Sequence, residues 1–155
     1  MNFDAPNDVA AYLPHRPPMI LLDGISDSGE EFVETYVTHE GPSLFADEHG
    51  NIPTWLGIEY MAQTVGVFAG ITSVKNGQPV RVGFLLGSRK YQVFTSAFKP
   101  RQRIQVRAER TYHSEDNIVQ FQCVITDSSG ELARADIKAI QPDSIEHIFH
   151  ITDTP

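Results

Sequence analysis

The chain has 155 residues, 41% of them hydrophobic and 21% charged, with a formal net charge of −8 and a pI near 5.1. This length predicts one domain, 1–155, whose core needs no disulfide or metal to hold it. The acidic balance argues against a general nucleic-acid-binding protein, which usually carries a basic face. The single cysteine, Cys123, excludes a framework of internal disulfides, and its alternating surroundings predict a buried strand thiol.

Targeting and membrane-spanning signals are not found in the sequence. The first residues lack the basic start and apolar core of a signal peptide. The longest apolar run is too short to cross a bilayer and is interrupted by Glu59. We therefore expect a cytoplasmic protein without a membrane span.

The first part of the chain predicts a short helix and then a hairpin. Asp8 is a suitable N-cap for a helix within the N-terminal segment, 1–12, and the prolines of PHRPP then force an extended chain. Strands are predicted over 19–28 and 32–39, the second because its polar and aliphatic residues alternate. A polar loop containing glycine and proline follows.

A long helix is predicted from Thr54, as its N-cap, to about Lys75, where NGQP ends it. Its apolar residues are spread around the helix, so we expect burial on nearly all sides. Glu59 is the only formal charge between Gly50 and Val74. Burying a lone carboxylate is costly, so such a group usually has a partner or a chemical role.

Four further strands are predicted after the helix, at 80–94, 102–113, 117–127 and 131–141, with hairpin turns at SEDN and DSSGE. Two strands, a long helix and an antiparallel meander make an α+β protein with its helix on one face of the sheet. The C-terminal tail, 143–155, is either a frayed end or a strap over a neighbouring surface. No cluster of ligand residues has metal-site spacing, so no metal is predicted.

Three blocks resemble the bacterial 3-hydroxyacyl-(acyl carrier protein) dehydratases: LPHRPPMILLDGI (13–25), IPTWLGIEYMAQTVG (52–66) and VGFLLGSRKYQVFTSAFKPRQRI (82–104). The likeness is strongest to the dehydratase-like proteins that accompany aryl-polyene biosynthesis clusters. It implies the hot-dog fold, in which a curled antiparallel sheet wraps a long central helix. It also implies dehydration of 3-hydroxyacyl chains on an acyl carrier protein to trans-2-enoyl products, in fatty-acid or polyene-type chain assembly.

The resemblance assigns the catalytic carboxylate to Glu59. Gln63, at i+4 on the same helix face, would hydrogen-bond to Glu59 and position it. Amides at the start of the helix, which we expect to be free, would stabilise the thioester oxygen. Two positions depart from the family: Phe45 stands where the catalytic histidine is usual, and Thr54 where a glycine precedes the helix. Either another histidine serves, or the activity is altered or absent.

Two histidines are candidates to pair with Glu59. His15 matches a position that lines the acyl tunnel in the family, and His49 lies in the loop that carries the family's histidine. His15 is equally interpretable as a packing or turn histidine, and the polar, glycine-flanked surroundings of His49 favour an exposed loop histidine. His39, at a strand end, is the weaker third candidate. The non-catalytic interpretation of Glu59 is an ion pair with Arg16, Arg81 or Arg89.

Substrate contacts are predicted at Gln63, Thr54, Trp55, Phe45 and Phe84, the aromatic rings lining an acyl tunnel. No cofactor is expected, because the substrate arrives on the phosphopantetheine arm of its carrier. The basic run Lys99 to Arg110 is either the solvent face of a strand or a docking patch for an acidic carrier protein.

By resemblance, the site is built between two subunits, so a homodimer or a heterodimer with another hot-dog subunit is expected. Two rival functions stay open. One is a hot-dog acyl thioesterase that uses the same carboxylate to activate water. The other is a non-catalytic subunit that stabilises an active dehydratase partner.

Overall fold

The computed structural model describes residues 8–40, 43–80 and 84–140. One long helix, α1 (Leu56–Lys75), packs against an antiparallel sheet. The six strands are β1 (Gly24–Ser28), β2 (Phe32–Val37), β3 (Phe84–Val93), β4 (Ile104–His113), β5 (Ile118–Asp127) and β6 (Gly130–Ile140). A 3₁₀ helix, Val9–Ala11, precedes them, and Asp8 caps it as predicted by accepting the Ala10 N–H at 2.9 Å. The tail, 143–155, lies outside the described residues.

The strand order is β1-β2-β4-β5-β6-β3, which leaves the sheet open with β1 and β3 at its edges. β4, β5 and β6 form the predicted meander through their two hairpins. β3 instead pairs with β6 at the far edge. The expected meander of four strands is therefore wrong by one strand, because β3 and β4 are joined by a loop too long to force a hairpin.

Alternating burial orients the strands as their sequences predict. Val33, Thr35 and Val37 of β2 are buried between half-buried neighbours. In β4 the buried residues are Ile104, Val106 and Ala108, so the intervening polar positions of the basic run face outward. Cys123 is fully buried on β5, and burial raises the pKa of its thiol. The strand interpretations of both segments are confirmed.

The helix contacts β2, β3, β4, β5 and β6. Twelve of its twenty residues are buried, but one stripe is only half-buried: Ile58, Glu59, Ala62, Gly66 and Ala69. The expectation of burial on nearly all sides is wrong along this stripe. Elsewhere the N-terminal segment lies against the helix, since a Cβ at Gly70 would overlap the Tyr12 carbonyl.

The helix begins with a tight backbone turn instead of a side-chain cap. Trp55, not Thr54, is the N-cap, and it makes no capping side-chain hydrogen bond. The amides of the next three residues donate three positions back, Leu56 to Pro53 at 3.1 Å, Gly57 to Thr54 at 3.0 Å and Ile58 to Trp55 at 3.3 Å. These three amides are therefore hydrogen-bonded within the protein. The expectation that the amides at the start of the helix are free is wrong for these three.

No helix in the described part of the chain combines the length and hydropathy needed to cross a membrane.

Candidate functional site

A cavity of about 390 Å³ runs along the half-buried stripe of α1. Its helical wall extends from Glu59 to Asn76, about 25 Å at ~1.5 Å per residue. The small side chains of Ala62, Gly66 and Ala69 leave room along this wall. The facing wall comes from the sheet and is apolar: Val119, Phe121, Ile137, Ala139 and Ile140.

The near end of the cavity is built around Glu59 and Gln63. The Gln63 Nε2 donates to Glu59 Oε1 at 2.9 Å, which is the contact predicted from the i, i+4 spacing. The same nitrogen donates to the Met19 carbonyl at 2.7 Å, and Gln63 Oε1 accepts the Leu21 N–H at 2.9 Å. With 1% of its surface exposed, Gln63 holds both the carboxylate and the chain segment that crosses the helix.

These bonds also explain where β1 begins. A strand from residue 19 was predicted, but β1 starts at Gly24. Residues 19–21 use their backbone groups to bind Gln63, so they are not available to a sheet neighbour. A side chain of the helix therefore takes the place of a pairing strand in this segment.

His15 lines the same cavity as Glu59. Its Nδ1 is buried and has no hydrogen-bond partner among the described residues. The loop is fixed beneath it, because Arg16 Nη1 donates to the carbonyls of His15 at 2.8 Å and Leu13 at 3.1 Å. His15 thus lines the cavity with a ring whose buried Nδ1 has no hydrogen-bond partner among the described residues.

The described residues provide no ion pair for Glu59. Arg16 is occupied by the two carbonyls, Arg89 is exposed and its strand position pairs with Asp136 on the sheet, and Arg81 lies outside the described residues. Glu59 is half-buried at the cavity instead of deep in the core. The structural ion pair with Arg16 or Arg89 is therefore not formed.

The far end of the cavity is polar and was not predicted. Arg110 and His113 of β4 line it, together with Asn76 and Asn117. Arg110 makes two hydrogen bonds to Glu31, at 2.8 and 3.0 Å. This pairing raises the pKa of Arg110 and lowers that of Glu31. The sequence places His113 at the end of a predicted strand, and no local signal indicates that strand pairing brings it to the cavity beside the helix.

The other two candidate partners of Glu59, His49 and His39, do not line the cavity. The His49 side chain is 75% exposed and contacts Glu48 at 3.5 Å. His39 is held by the Gln102 carbonyl at 2.8 Å and by the Tyr60 hydroxyl at 3.0 Å. Because a carbonyl only accepts, Nδ1 carries the proton and the neutral Nε2 accepts from Tyr60. Burial lowers the pKa of His39.

Of the predicted substrate-contacting residues, Gln63 lines this cavity, whereas Phe45, Thr54 and Trp55 do not. Phe45 packs edge-on against Trp55, with 5.9 Å between ring centroids, and Trp55 is 61% exposed. The Thr54 carbonyl accepts from the Gly57 amide and the Tyr91 hydroxyl. The side chain of Phe84, at the start of β3, lies outside the described residues.

The basic run is only partly available to a partner. Arg107 pairs with Glu34 and Glu109, and Arg110 pairs with Glu31. Within the basic run, Lys99, Arg101 and Arg103 are exposed and make no ion pair with a described residue. Within those ranges, no group of three His, Cys, Asp or Glu side chains could hold a metal ion.

Comparison with known proteins connects this site to one family. The family model described as ApeP dehydratase matches residues 7–150. The dehydratase heterocomplex ApeI:P from Xenorhabdus doucetiae contains a chain that is 25% identical, with a TM-score of 0.84, and the match covers 94% of this chain and 97% of that one. No curated protein matches the sequence.

More distant solved structures share the fold alone. A hypothetical thioesterase with coenzyme A from Streptococcus pneumoniae is 14% identical, with a TM-score of 0.59 over 77% of this chain and 87% of that one. The PaaI protein of Escherichia coli, from a phenylacetic acid degradation operon, is 9% identical, with a TM-score of 0.57 over 76% and 81%. The predicted hot-dog fold and the predicted family resemblance are both confirmed.

Proposed function

Because the chain belongs to the ApeP-like dehydratase family, we propose that it dehydrates 3-hydroxyacyl thioesters on an acyl carrier protein. The observation that carries this proposal is the cavity shared by Glu59 and His15. Dehydration needs one group to take the C2 proton and another to protonate the departing C3 hydroxyl. A histidine without a hydrogen-bond partner and a carboxylate held by an amide are a suitable pair.

In this proposal His15 takes the proton from C2 while Glu59 gives a proton to the C3 hydroxyl. The C2–H electron pair forms the C2=C3 bond, the C3–O bond breaks and water leaves, so the product is the 2-enoyl thioester. The Gln63 amide holds Glu59 in place through its 2.9 Å hydrogen bond. The amide of Trp55 lies outside the residues that line the cavity and has no acceptor among the described residues. It is the donor proposed for the thioester oxygen once substrate is bound.

The remaining cavity would accommodate the acyl chain. Small residues along α1 face an apolar wall of β5 and β6, which suits an extended hydrocarbon or aryl chain. The substrate would enter on a phosphopantetheine arm. Lys99, Arg101 and Arg103 are the exposed cations that would attract an acidic carrier protein.

The test is turnover of 3-hydroxyacyl thioesters by the full chain in its native assembly, offered both on a carrier protein and on a short pantetheine arm. We expect an enoyl product, and Glu59→Gln should lower kcat by about 100-fold or more. Glu48→Gln, at an exposed carboxylate, is the matched control and should have no effect. His15→Gln should be impaired in the same assay, and His49→Gln should not.

Two results would count against the proposal. Free thiol from a saturated acyl thioester would indicate hydrolysis, the activity of a hot-dog thioesterase. Unchanged turnover by Glu59→Gln would remove the carboxylate from the reaction.

A second candidate function, that of a non-catalytic partner, is favoured by Phe45. Its ring packs on Trp55 where the related dehydratases carry a histidine, and the similar solved structure is described as a heterocomplex. In that case the chain would support the activity of another hot-dog subunit. Mixing Glu59→Gln with an active partner would then leave turnover intact, whereas omitting the chain would abolish it.

A further inference from the structure

Tyr91 is held in an unusual stretch of β3. Arg89 pairs with Asp136 and Gln92 pairs with Arg134, so two residues of β3 face the single residue Ala135 of β6. The first of the two, Lys90, has a φ of 56°. Residues other than glycine adopt this left-handed backbone conformation at an energetic cost, so the surrounding structure must hold Lys90 in place.

The bulge changes the direction of the Tyr91 side chain. Arg89, Lys90 and Gln92 are exposed, whereas Tyr91 is half-buried and reaches the start of the helix. Bulges in sheets commonly redirect one side chain in this way, and they are frequent beside functional sites. The extra residue breaks the alternation of the strand, because the consecutive residues Arg89 and Lys90 are both exposed before Tyr91 turns inward.

The Tyr91 hydroxyl donates a hydrogen bond to the Thr54 carbonyl, one residue before the N-cap. It reaches this carbonyl past Gly57, where a Cβ would overlap the tyrosine oxygen. Burial raises the pKa of Tyr91 to about 12, so the hydroxyl keeps its proton and its donor role at neutral pH. A bulge, a strained residue and a glycine thus combine to form one contact.

This contact fixes the turn that enters α1. The Thr54 carbonyl also accepts the Gly57 amide at 3.0 Å, so both of its bonds tie the turn to fixed elements. A trans peptide directs its C=O and N–H to opposite sides. Holding the Thr54 carbonyl at Tyr91 therefore also fixes the direction of the Trp55 N–H, and Glu59 follows within the first turn of the helix.

We propose that Tyr91 is a positioning residue for the Glu59 site, acting through the Thr54–Trp55 peptide. The inference rests on the proposed dehydratase function, because its readout is turnover. Tyr91 touches no reacting atom in this arrangement. Its loss should therefore affect the transition state more than substrate binding, which depends on the cavity along the rest of the helix.

The test is Tyr91→Phe in the full chain and its native assembly, compared with Tyr112→Phe, whose ring is 55% exposed on β4. The change to phenylalanine keeps the ring and removes only the donor. We expect kcat to fall about tenfold with KM changed less than twofold, after correction for the folded fraction. Tyr112→Phe should match the parent protein in both constants.

A second variant approaches the same contact from the helix. Gly57→Ala should displace the tyrosine oxygen and lower kcat. In a protein that already carries Tyr91→Phe, the same Gly57→Ala change should lower kcat by a smaller factor than in the parent protein, because both changes disrupt one contact. Additive losses would overturn the proposal. So would a Tyr91→Phe protein whose kcat stays within twofold of the parent, or whose loss disappears after correction for folding.

The Glu59→Gln variant, assayed beside these, separates this inference from the proposed function. If Glu59→Gln abolishes turnover while Tyr91→Phe is unaffected, only the role of Tyr91 is overturned. If Glu59→Gln turns over normally, the proposed function fails and the role of Tyr91 in positioning Glu59 fails with it.

Discussion

Replacing Gln63 by methionine should both destabilise the protein and release Glu59. The amide makes three hydrogen bonds, to Met19, Leu21 and Glu59. Methionine has a similar length but can replace none of them. The half-buried Leu21 amide then loses its acceptor, which costs about 1–3 kcal/mol, while the Met19 carbonyl belongs to an exposed residue and can bind water.

The extra apolar burial of methionine offsets part of this cost, about 1 kcal/mol. The lost hydrogen bonds to Met19 and Glu59 add about 1 kcal/mol to the cost. We therefore expect the free energy of unfolding to fall by about 2 kcal/mol. For a protein of this length that corresponds to a fall in Tm of roughly 4–8 °C. Turnover per folded molecule should also fall, because the carboxylate loses the donor that orients it.

Thermal and urea unfolding, followed by the fluorescence of Trp55, the one tryptophan in the sequence, measures the first effect at fixed protein concentration. Gln105→Met is the matched control, since Gln105 is exposed on β4, and it should unfold like the parent. A loss below about 0.5 kcal/mol for Gln63→Met would refute the reasoning, because the stranded Leu21 amide alone should cost more.

Two further predictions concern the packing and pH response of the same helix. Gly70→Ala should lower the free energy of unfolding, measured by chemical unfolding, by about 3 kcal/mol, because the new Cβ overlaps the backbone carbonyl of Tyr12. Gly66→Ala should lower it clearly less, because the new Cβ meets only the end of the Leu13 side chain. Equal losses of unfolding free energy in the two variants would contradict this prediction. His39 has a lowered pKa because it is buried, with the Gln102 and Asp23 interactions opposing that shift, so its neutral form is favoured in the folded state. The contribution of neutral His39 to the free energy of unfolding is therefore complete above the ordinary histidine pKa, and it is lost as the pH falls below that value. The unfolding midpoint should fall between pH 7.5 and pH 5.5. This fall should be smaller in His39→Gln than in the parent protein and unchanged in His49→Gln.

The fold was predictable from the sequence wherever periodicity is local. Alternation along 32–39 and 102–113 marked β2 and β4 because each strand buries one face. The helix end at Lys75 was predicted because NGQP cannot continue it. The start was missed, since Thr54 has a capping side chain but the turn is closed by backbone bonds and by Tyr91 from a distant strand.

From local sequence patterns the site was predictable only in its helical half, whereas His15 was predicted through the family resemblance. Glu59 and Gln63 lie four residues apart on one helix, so their contact follows from helical geometry. His15 and His113 join them through chain crossings that no local pattern records. The pairing of β3 with β6 is likewise not recorded by a local pattern. The bulge that directs Tyr91 to the helix depends on this pairing.

The location of His49 shows why nearness in sequence is a poor guide to a catalytic pair. Its loop is folded into a turn of its own, in which Asp47 Oδ1 accepts the amides of His49 and Asn51, both at 2.9 Å. These bonds, the Asn51 amide first, lower the pKa of Asp47. The residue after Asn51, Ile52, is bridged to Phe98 through hydrogen bonds of 2.8 and 3.0 Å.

Bringing His49 to Glu59 would require breaking both the Asp47 turn and the Ile52 bridge. Those backbone bonds would have to be replaced in a cavity whose near end already contains His15. Phe45 does not provide a route either, because its ring is engaged with Trp55. Of His15 and His49, His15 is therefore the one that shares a cavity with Glu59. Turnover by His15→Gln in the native assembly distinguishes a role for His15 from a role for a histidine of another subunit.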